Sequence, residues 1–202
     1  MSVLLILTEH ASFLTPARVE EYERIRGRLE RLAGRSVASV PYATLRTTRP
    51  ADALVLSGSS APWAAHDQRE LERLGDLVRS FEGPVLGICA GMQLQTLFAG
   101  GRVARSRRED PPGFRSIEVL DDRDLLRGVP AGATVYTRHT DEVIDLPAAF
   151  RLLAGSEQCA IEAIAAADRP WWGTQFHPEE FEEEHPAGER VLRNFFELAG
   201  VG

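Results

Sequence analysis

Three short runs set the first constraint on the fold: VLLIL at residues 3–7, ALVLS at 53–57 and PVLGI at 84–88. Each is nearly all apolar, with no polar residue alternating through it, so a strand built from it must be covered on both faces. The stretches between them read as helices or short strands. PARVEEYERIRGRLERLAG carries Val19, Tyr22, Ile25, Leu29 and Leu32 at helical spacing, and Gly34 ends it. SVASV at 36–40 predicts another strand, residues 64–80 a polar helix, and MQLQTLFA a helix stopped by Gly100-Gly101. Strands covered on both faces and alternating with helices predict an α/β fold, doubly wound, with a mostly parallel central sheet flanked by helices.

The pattern changes after residue 113. FRSIEVL, ATVYTRHT, EVIDL, FRLLAG and CAIEAIAA are separated by turn residues and predict a small antiparallel addition at one edge of the sheet. WWGTQF reads as a further strand, with Trp171 inward and Trp172 outward or the reverse. GERVLRNFFELAG closes the chain as a helix burying Val191, Leu192, Phe195, Phe196 and Leu198. The charge-dense stretch Arg102 to Asp110 reads as an exposed loop. No internal repeat or low-complexity linker divides the chain, so residues 1–202 are expected to form a single domain.

Charge narrows the choice of partner. With 23 Lys+Arg against 30 Asp+Glu the net charge is −7, which argues against nucleic acid and favours a small molecule or a protein. No stretch approaches the roughly 20 apolar residues of a membrane span, and nothing resembles a secretion signal, so a cytoplasmic location is expected. The two cysteines, Cys89 and Cys159, are far apart and lack zinc-ligand spacing, so neither a disulfide framework nor a metal site is expected.

Cys89 stands between Gly87 and Gly91 in GICAGMQ, where a strand gives way to a helix. Such a turn leaves no room for flanking side chains and thrusts the central residue out at the carboxyl end of the sheet, where doubly wound folds place their ligand crevices. The helix start adds N–H groups and partial positive charge beside the sulfur. A lone cysteine in an apolar context is more often core than nucleophile, so a base is needed. His177 in GTQFHPEEF also ends an apolar run, with Glu179 two residues on. Pro178 stiffens that turn so that imidazole and carboxylate are presented together, the carboxylate setting the tautomer and the free nitrogen facing a thiol. Cys159, opening CAIEAIAA, reads as a buried strand residue, and Glu180, Glu182, Glu183 and Glu184 as solvated charge.

Taken together, GICAGMQ and the later GTQFHPE resemble the class I glutamine amidotransferase family, whose pattern is a G-x-C-x-G-x-Q elbow and a downstream F-H-P-E. LVLSGSSAPW at 54–63 is similar to the family's strand followed by S-G-G-P, and YTRHTDEVIDLP at 136–147 resembles the S-H-G-D-x-V segment of the glutaminase part of GMP synthase. IEVLDDRDLLRGVP at 117–130 resembles the same branch, whereas the first 50 residues or so are only weakly characteristic. The resemblance implies a flavodoxin-like fold, Cys89 as nucleophile, His177 as general base and then acid, and Glu179 as its orienting carboxylate. It implies an oxyanion hole from the Ala90 N–H and the Gly58-Ser59 loop. Gln93 and the main chain from His139 to Asp141 would hold the substrate's α-amino and α-carboxylate groups.

The chain departs from the pattern at two places. Ser59 and Ser60 stand where Gly-Pro is usual, and a positive φ at 59 would strain a serine. Arg138 and Thr140 replace the usual Ser and Gly, which bears on recognition. The implied chemistry releases ammonia from glutamine, or another γ-glutamyl amide, through a γ-glutamyl thioester and needs no cofactor. The chain carries no G-x-x-x-x-G-K-[ST] or G-x-G-x-x-G motif for an acceptor half, so a separate synthetase subunit is an expected ammonia acceptor. A free-standing γ-glutamyl hydrolase acting on a small amine conjugate, or a catalytically quiet regulatory subunit, are the alternatives.

Overall fold

The computed structural model describes residues 2–48, 50–108 and 111–201. In chain order it runs β1 (Val3–Leu7), α1 (Pro16–Ala33), β2 (Val37–Pro41), β3 (Ala53–Leu56), α2 (Gln68–Arg79), β4 (Val85–Ile88), α3 (Ala90–Phe98) and β5 (Arg102–Arg105). There follow β6 (Gly113–Ser116), β7 (Glu118–Val119), β8 (Thr134–Thr137), β9 (Asp141–Asp145), β10 (Phe150–Gly155), β11 (Ala163–Ala166), β12 (Trp171–Thr174) and α4 (Ala187–Leu198). The main sheet has the order β2-β1-β3-β4-β12-β11-β10-β7. β2 through β12 in that order are mutually parallel, and β11, β10 and β7 continue the sheet antiparallel.

The three constraining runs are buried along their length because helices cover both faces. Tyr22, Ile25 and Leu29 of α1 and Val191, Phe195 and Phe196 of α4 share one core layer with Leu5, Val55, Leu86 and Ile88. Leu74 and Val78 of α2 and Met92 and Leu94 of α3 share the other with Ile6, Leu54, Leu56 and Val85. Adjacent strand residues thus feed opposite layers, as a pleated sheet demands. Trp171 and Trp172 follow that rule, but neither faces water: both are buried, in opposite layers. In α1, Thr15 caps the first turn by accepting from the Arg18 N–H, Pro16 opens the helix, and Gly34 closes it in the left-handed region at φ 60°. Val19 and Leu198, both expected to be buried, are instead 47% and 39% exposed, at the flanks of their helices.

Three boundaries differ from expectation. The antiparallel strands do not all join the edge of the main sheet: β6 with β8, and β5 with β9, form two separate ribbons. The stretch read as a loop from Arg102 to Asp110 begins as a strand, because Val103 and Ala104 lie half-buried against β9 while the flanking arginines face solvent. Glu109 and Asp110 lie outside the described residues. The helix expected over 64–80 starts at Gln68, where the Asp67 carboxylate accepts the N–H groups of Arg69 and Glu70. No helix among the described residues is long and apolar enough to cross a membrane.

Candidate active site

β4 and β12 are adjacent and parallel, with Ile88 paired to Thr174, so the chain leaves both strands at the same edge of the sheet. Cys89 is one residue past that pair and His177 three past it. This register brings together two residues some 88 positions apart in the sequence.

The turn at Cys89 is strained and tightly packed. Its backbone sits at φ 51°, ψ −107°, and the only other non-glycine with positive φ among the described residues is Asp124. Such backbone costs about 1–3 kcal/mol and persists only where the surroundings enforce it. They do: a Cβ at Gly87 would lie 2.6 Å from the Gly91 carbonyl carbon, and one at Gly91 2.4 Å from the Leu56 carbonyl oxygen. The two glycines let the first turn of α3 pack directly onto β3, with the Gly91 N–H donating to the Ser57 carbonyl at 3.1 Å.

His177 is fixed from several sides. Its backbone N–H donates to the Tyr136 carbonyl at 2.8 Å, and Pro178 opens a short 3₁₀ turn, Pro178–Glu180, that returns Glu179 toward the ring. His177 Nδ1 lies 2.8 Å from Glu179 Oε1, and Cys89 is near enough to act electrostatically on the ring. Its Nε2 is 3.2 Å from the Arg138 carbonyl, toward which Cys89 Sγ also points at 3.9 Å. A carbonyl only accepts, so that contact needs a proton on Nε2, and the carboxylate needs one on Nδ1. Burial opposes charge on the imidazole, but the Glu179 carboxylate, its hydrogen bond to the ring and the nearby Cys89 outweigh it and hold the ring well above its ordinary 6.5.

The three groups line a cavity of about 830 Å³, which Gly58, Ser59, Ala90, Gln93, Arg138 and Asp141 also line. His139 and Thr140 border it too. Gln93, expected to hold substrate, donates its amide to the Asp141 carbonyl at 2.6 Å and to Gln175 Oε1 at 3.1 Å. Arg138 turns its guanidinium to Glu21, at 2.9 Å, and presents its main-chain carbonyl to Cys89 and His177. The Thr140 carbonyl accepts the Ser106 N–H at 2.8 Å. Ser59 is not among the residues with positive φ, so the serine there carries no left-handed strain.

Residues the sequence reading passed over take part. Gln175, fully buried, donates its side-chain amide to Cys89 Sγ at 3.5 Å. Glu9, just past β1, grips the loop that follows β3. The GTQFHPE motif itself offered Gln175, but nothing local marked Glu9. Cys159 is buried away from the cavity, and burial followed by the nearby Glu162 charge pushes its thiol far up, as befits a packing residue. Among the described residues no group of three or more His, Cys, Asp or Glu is placed to hold a metal ion.

A cysteine on a strained strand-to-helix turn, paired with a histidine and carboxylate at the carboxyl edge of a doubly wound sheet, defines the class of α/β cysteine hydrolases. The profile of the class I glutamine amidotransferases matches residues 24–199, and the chain belongs to that family. Among its relatives, a glutamine-hydrolyzing GMP synthase subunit of Pyrococcus abyssi is 36% identical over 162 residues, covering 80% of this chain and 82% of the relative. One of the same name from Methanosarcina mazei is 40% identical over 155 residues, 74% and 75% of the two chains. A Thermoplasma acidophilum crystal structure, of a protein provisionally named a GMP synthase subunit, superposes with a TM-score of 0.82 at 27% identity, covering 99% of this chain and 94% of that one.

Proposed function

We propose that residues 1–202 act as a single amidotransferase domain that releases ammonia from glutamine for use by a separate synthetase subunit. The observation that carries this reading is Glu179 2.8 Å from the His177 ring, with His177 Nε2 and Cys89 Sγ both turned to the Arg138 carbonyl, in the lining of one cavity of a chain in this family. The Cys89 thiolate, its proton carried by His177, attacks the side-chain amide carbon of glutamine, and the carbonyl π electrons move onto oxygen. The Ala90 N–H, in the first turn of α3 where N–H groups lack intrahelical acceptors, and the Ser59 N–H receive that oxyanion. His177, protonated, gives its Nε2 proton to the departing nitrogen, and ammonia leaves as the carbonyl re-forms a γ-glutamyl thioester. The neutral imidazole then takes a proton from water as its oxygen attacks the thioester. Glutamate departs when the proton returns to sulfur.

Relatives named as a subunit of GMP synthase support a partner that consumes the ammonia. A second reading, a free-standing hydrolase of γ-glutamyl conjugates of small amines, draws on the cavity's size. At about 830 Å³ it lies within the roughly 300–1,000 Å³ of sites for drug-sized ligands. The intact row of Cys89, His177 and Glu179 speaks against a quiet regulatory role.

The test is to supply glutamine to the purified chain, alone and with an ATP-dependent synthetase subunit, and measure ammonia and glutamate. Release in either arm that Cys89→Ala abolishes supports the proposal. Turnover of γ-glutamyl amine conjugates with none of glutamine would favour the second reading. Turnover retained in Cys89→Ala would remove that residue from the chemistry.

A further inference from the structure

Two residues outside the family motifs, Tyr22 and Glu9, hydrogen-bond the loop that follows β3. The carbonyl of Gly58 accepts from Tyr22 Oη at 2.9 Å and Ser57 Oγ at 2.8 Å, and Thr8 Oγ1, whose shorter acceptor is the Ser57 carbonyl at 2.8 Å, lies 3.2 Å away. In a planar trans peptide the C=O and the next N–H point in opposite directions. Holding that oxygen against β1 and α1 therefore aims the Ser59 N–H the other way. Gly58 faces the reacting groups, since a Cβ added there would lie 2.8 Å from His177 Cε1 and 3.6 Å from Cys89 Cβ.

The following residues are held by Glu9, whose carboxylate is 1% exposed. Oε1 accepts from the Ser59 hydroxyl at 2.8 Å and the Ala61 N–H at 2.9 Å; Oε2 accepts from the Ser60 N–H at 2.9 Å and the Ser60 hydroxyl at 2.8 Å. Arg18 Nε approaches Oε2 at 3.5 Å. The carboxylate thus takes the N–H groups of residues 60 and 61 and the hydroxyls of 59 and 60, leaving the Ser59 N–H outside its grip. Burial pushes its pKa up, and the bonds from Ser60, Ser59 and Ala61 outweigh that to hold the group ionised. Burial also keeps the Tyr22 hydroxyl protonated, and so able to donate.

We propose that Glu9 and Tyr22 are positioning residues that orient the Ser59 N–H toward the oxyanion formed when Cys89 attacks. This deepens the function proposed above and rests on it for the identity of the substrate. Neither residue needs to touch the reacting atoms; both act through the loop.

Glu9→Gln replaces an acceptor by an NH₂ group that meets loop donors, and Tyr22→Phe removes one hydroxyl from the Gly58 carbonyl. With glutamine, kcat should fall about 10- to 100-fold in Glu9→Gln and about three- to tenfold in Tyr22→Phe, with KM changed less than about threefold, because an oxyanion donor acts in the transition state. The rate of Cys89 alkylation by iodoacetamide, which needs no oxyanion hole, should stay within about twofold of wild type. Unchanged kcat in both variants, a loss confined to KM, or alkylation falling in step with kcat would overturn the proposal. If Glu9→Gln does not fold, Tyr22→Phe alone decides.

A burst of p-nitrophenolate from p-nitrophenyl acetate, absent in Cys89→Ala, reads oxyanion support without glutamine recognition. A wild-type burst that both variants slow, in a protein releasing no ammonia from glutamine, would refute the substrate and leave the clamp standing. A burst equally fast in wild type and variants would refute the clamp.

Discussion

Replacing Gly58 by alanine tests whether the imidazole is held where it is seen. The added methyl would lie 2.8 Å from His177 Cε1 and 3.6 Å from Cys89 Cβ. Carbon atoms settle at about 3.5–4.0 Å, so the ring or the loop must give way by roughly 0.7–1.2 Å. Neither has slack. The ring is buried, tied to Glu179 at 2.8 Å and to Tyr136 through its own backbone, while the Gly58 carbonyl is held by Tyr22 and Ser57. A displacement near 1 Å at a reacting centre costs on the order of 10²-fold in rate. Gly58→Ala should therefore lower kcat/KM for glutamine by about 10²-fold, followed by coupled detection of ammonia. The melting temperature should fall by about 2–12 °C, since overpacking at one site costs roughly 1–3 kcal/mol and each kcal/mol shifts a chain of this length by about 2–4 °C. Activity within about threefold of wild type at unchanged melting temperature would show that the ring is not confined by Gly58, and the assignment of His177 as the proton carrier would lose its geometric basis.

Cys89→Gly should be more stable than Cys89→Ala by about 1 kcal/mol in urea denaturation, because alanine keeps a Cβ at φ 51° and glycine does not. Glu179→Gln removes the charge that holds the His177 ring up and leaves burial, so the ring should titrate at lower pH, measured by NMR. The sign for stability follows: a folded pKa raised above the unfolded value near 6.5 stabilises fully below that value and is lost as pH rises through the folded one, so wild type should exceed Glu179→Gln more at about pH 6 than at about pH 9. Phe195→Ala, emptying a fully buried position that meets the Trp172 ring edge-on at 6.3 Å, should cost about 3–5 kcal/mol by denaturant unfolding without changing the pH dependence of kcat.

What short range encodes was legible in the sequence. The elbow could be read because Gly87, Cys89 and Gly91 are neighbours and steric demand there is local. Each strand buried on both faces announced its covering helices. The position of β12 was not readable, because placing a late strand between β4 and β11 depends on pairing across the whole chain rather than on its own composition. The ribbon β5–β9 was hidden for a related reason: a half-buried pair of residues between arginines has the composition of a surface loop until its partner is known. Gln175 stood inside a recognised motif, yet its contact with Sγ requires the β4–β12 register to exist first.

The two departures from the family pattern, Ser59-Ser60 and Arg138, share a physical resolution. In each case a side chain appears where the usual residue is smaller or has no hydroxyl, and in each it is turned away from the reacting atoms by a carboxylate. Glu9 takes both serine hydroxyls, and Glu21 on α1 takes the Arg138 guanidinium. Both carboxylates lie in the first 50 residues, the part of the chain with least family character. What reaches the cysteine and histidine from these segments is main chain: the Gly58 backbone and the Arg138 carbonyl. The site therefore constrains the course of the backbone at 58–60 and 138 more tightly than the side chains there.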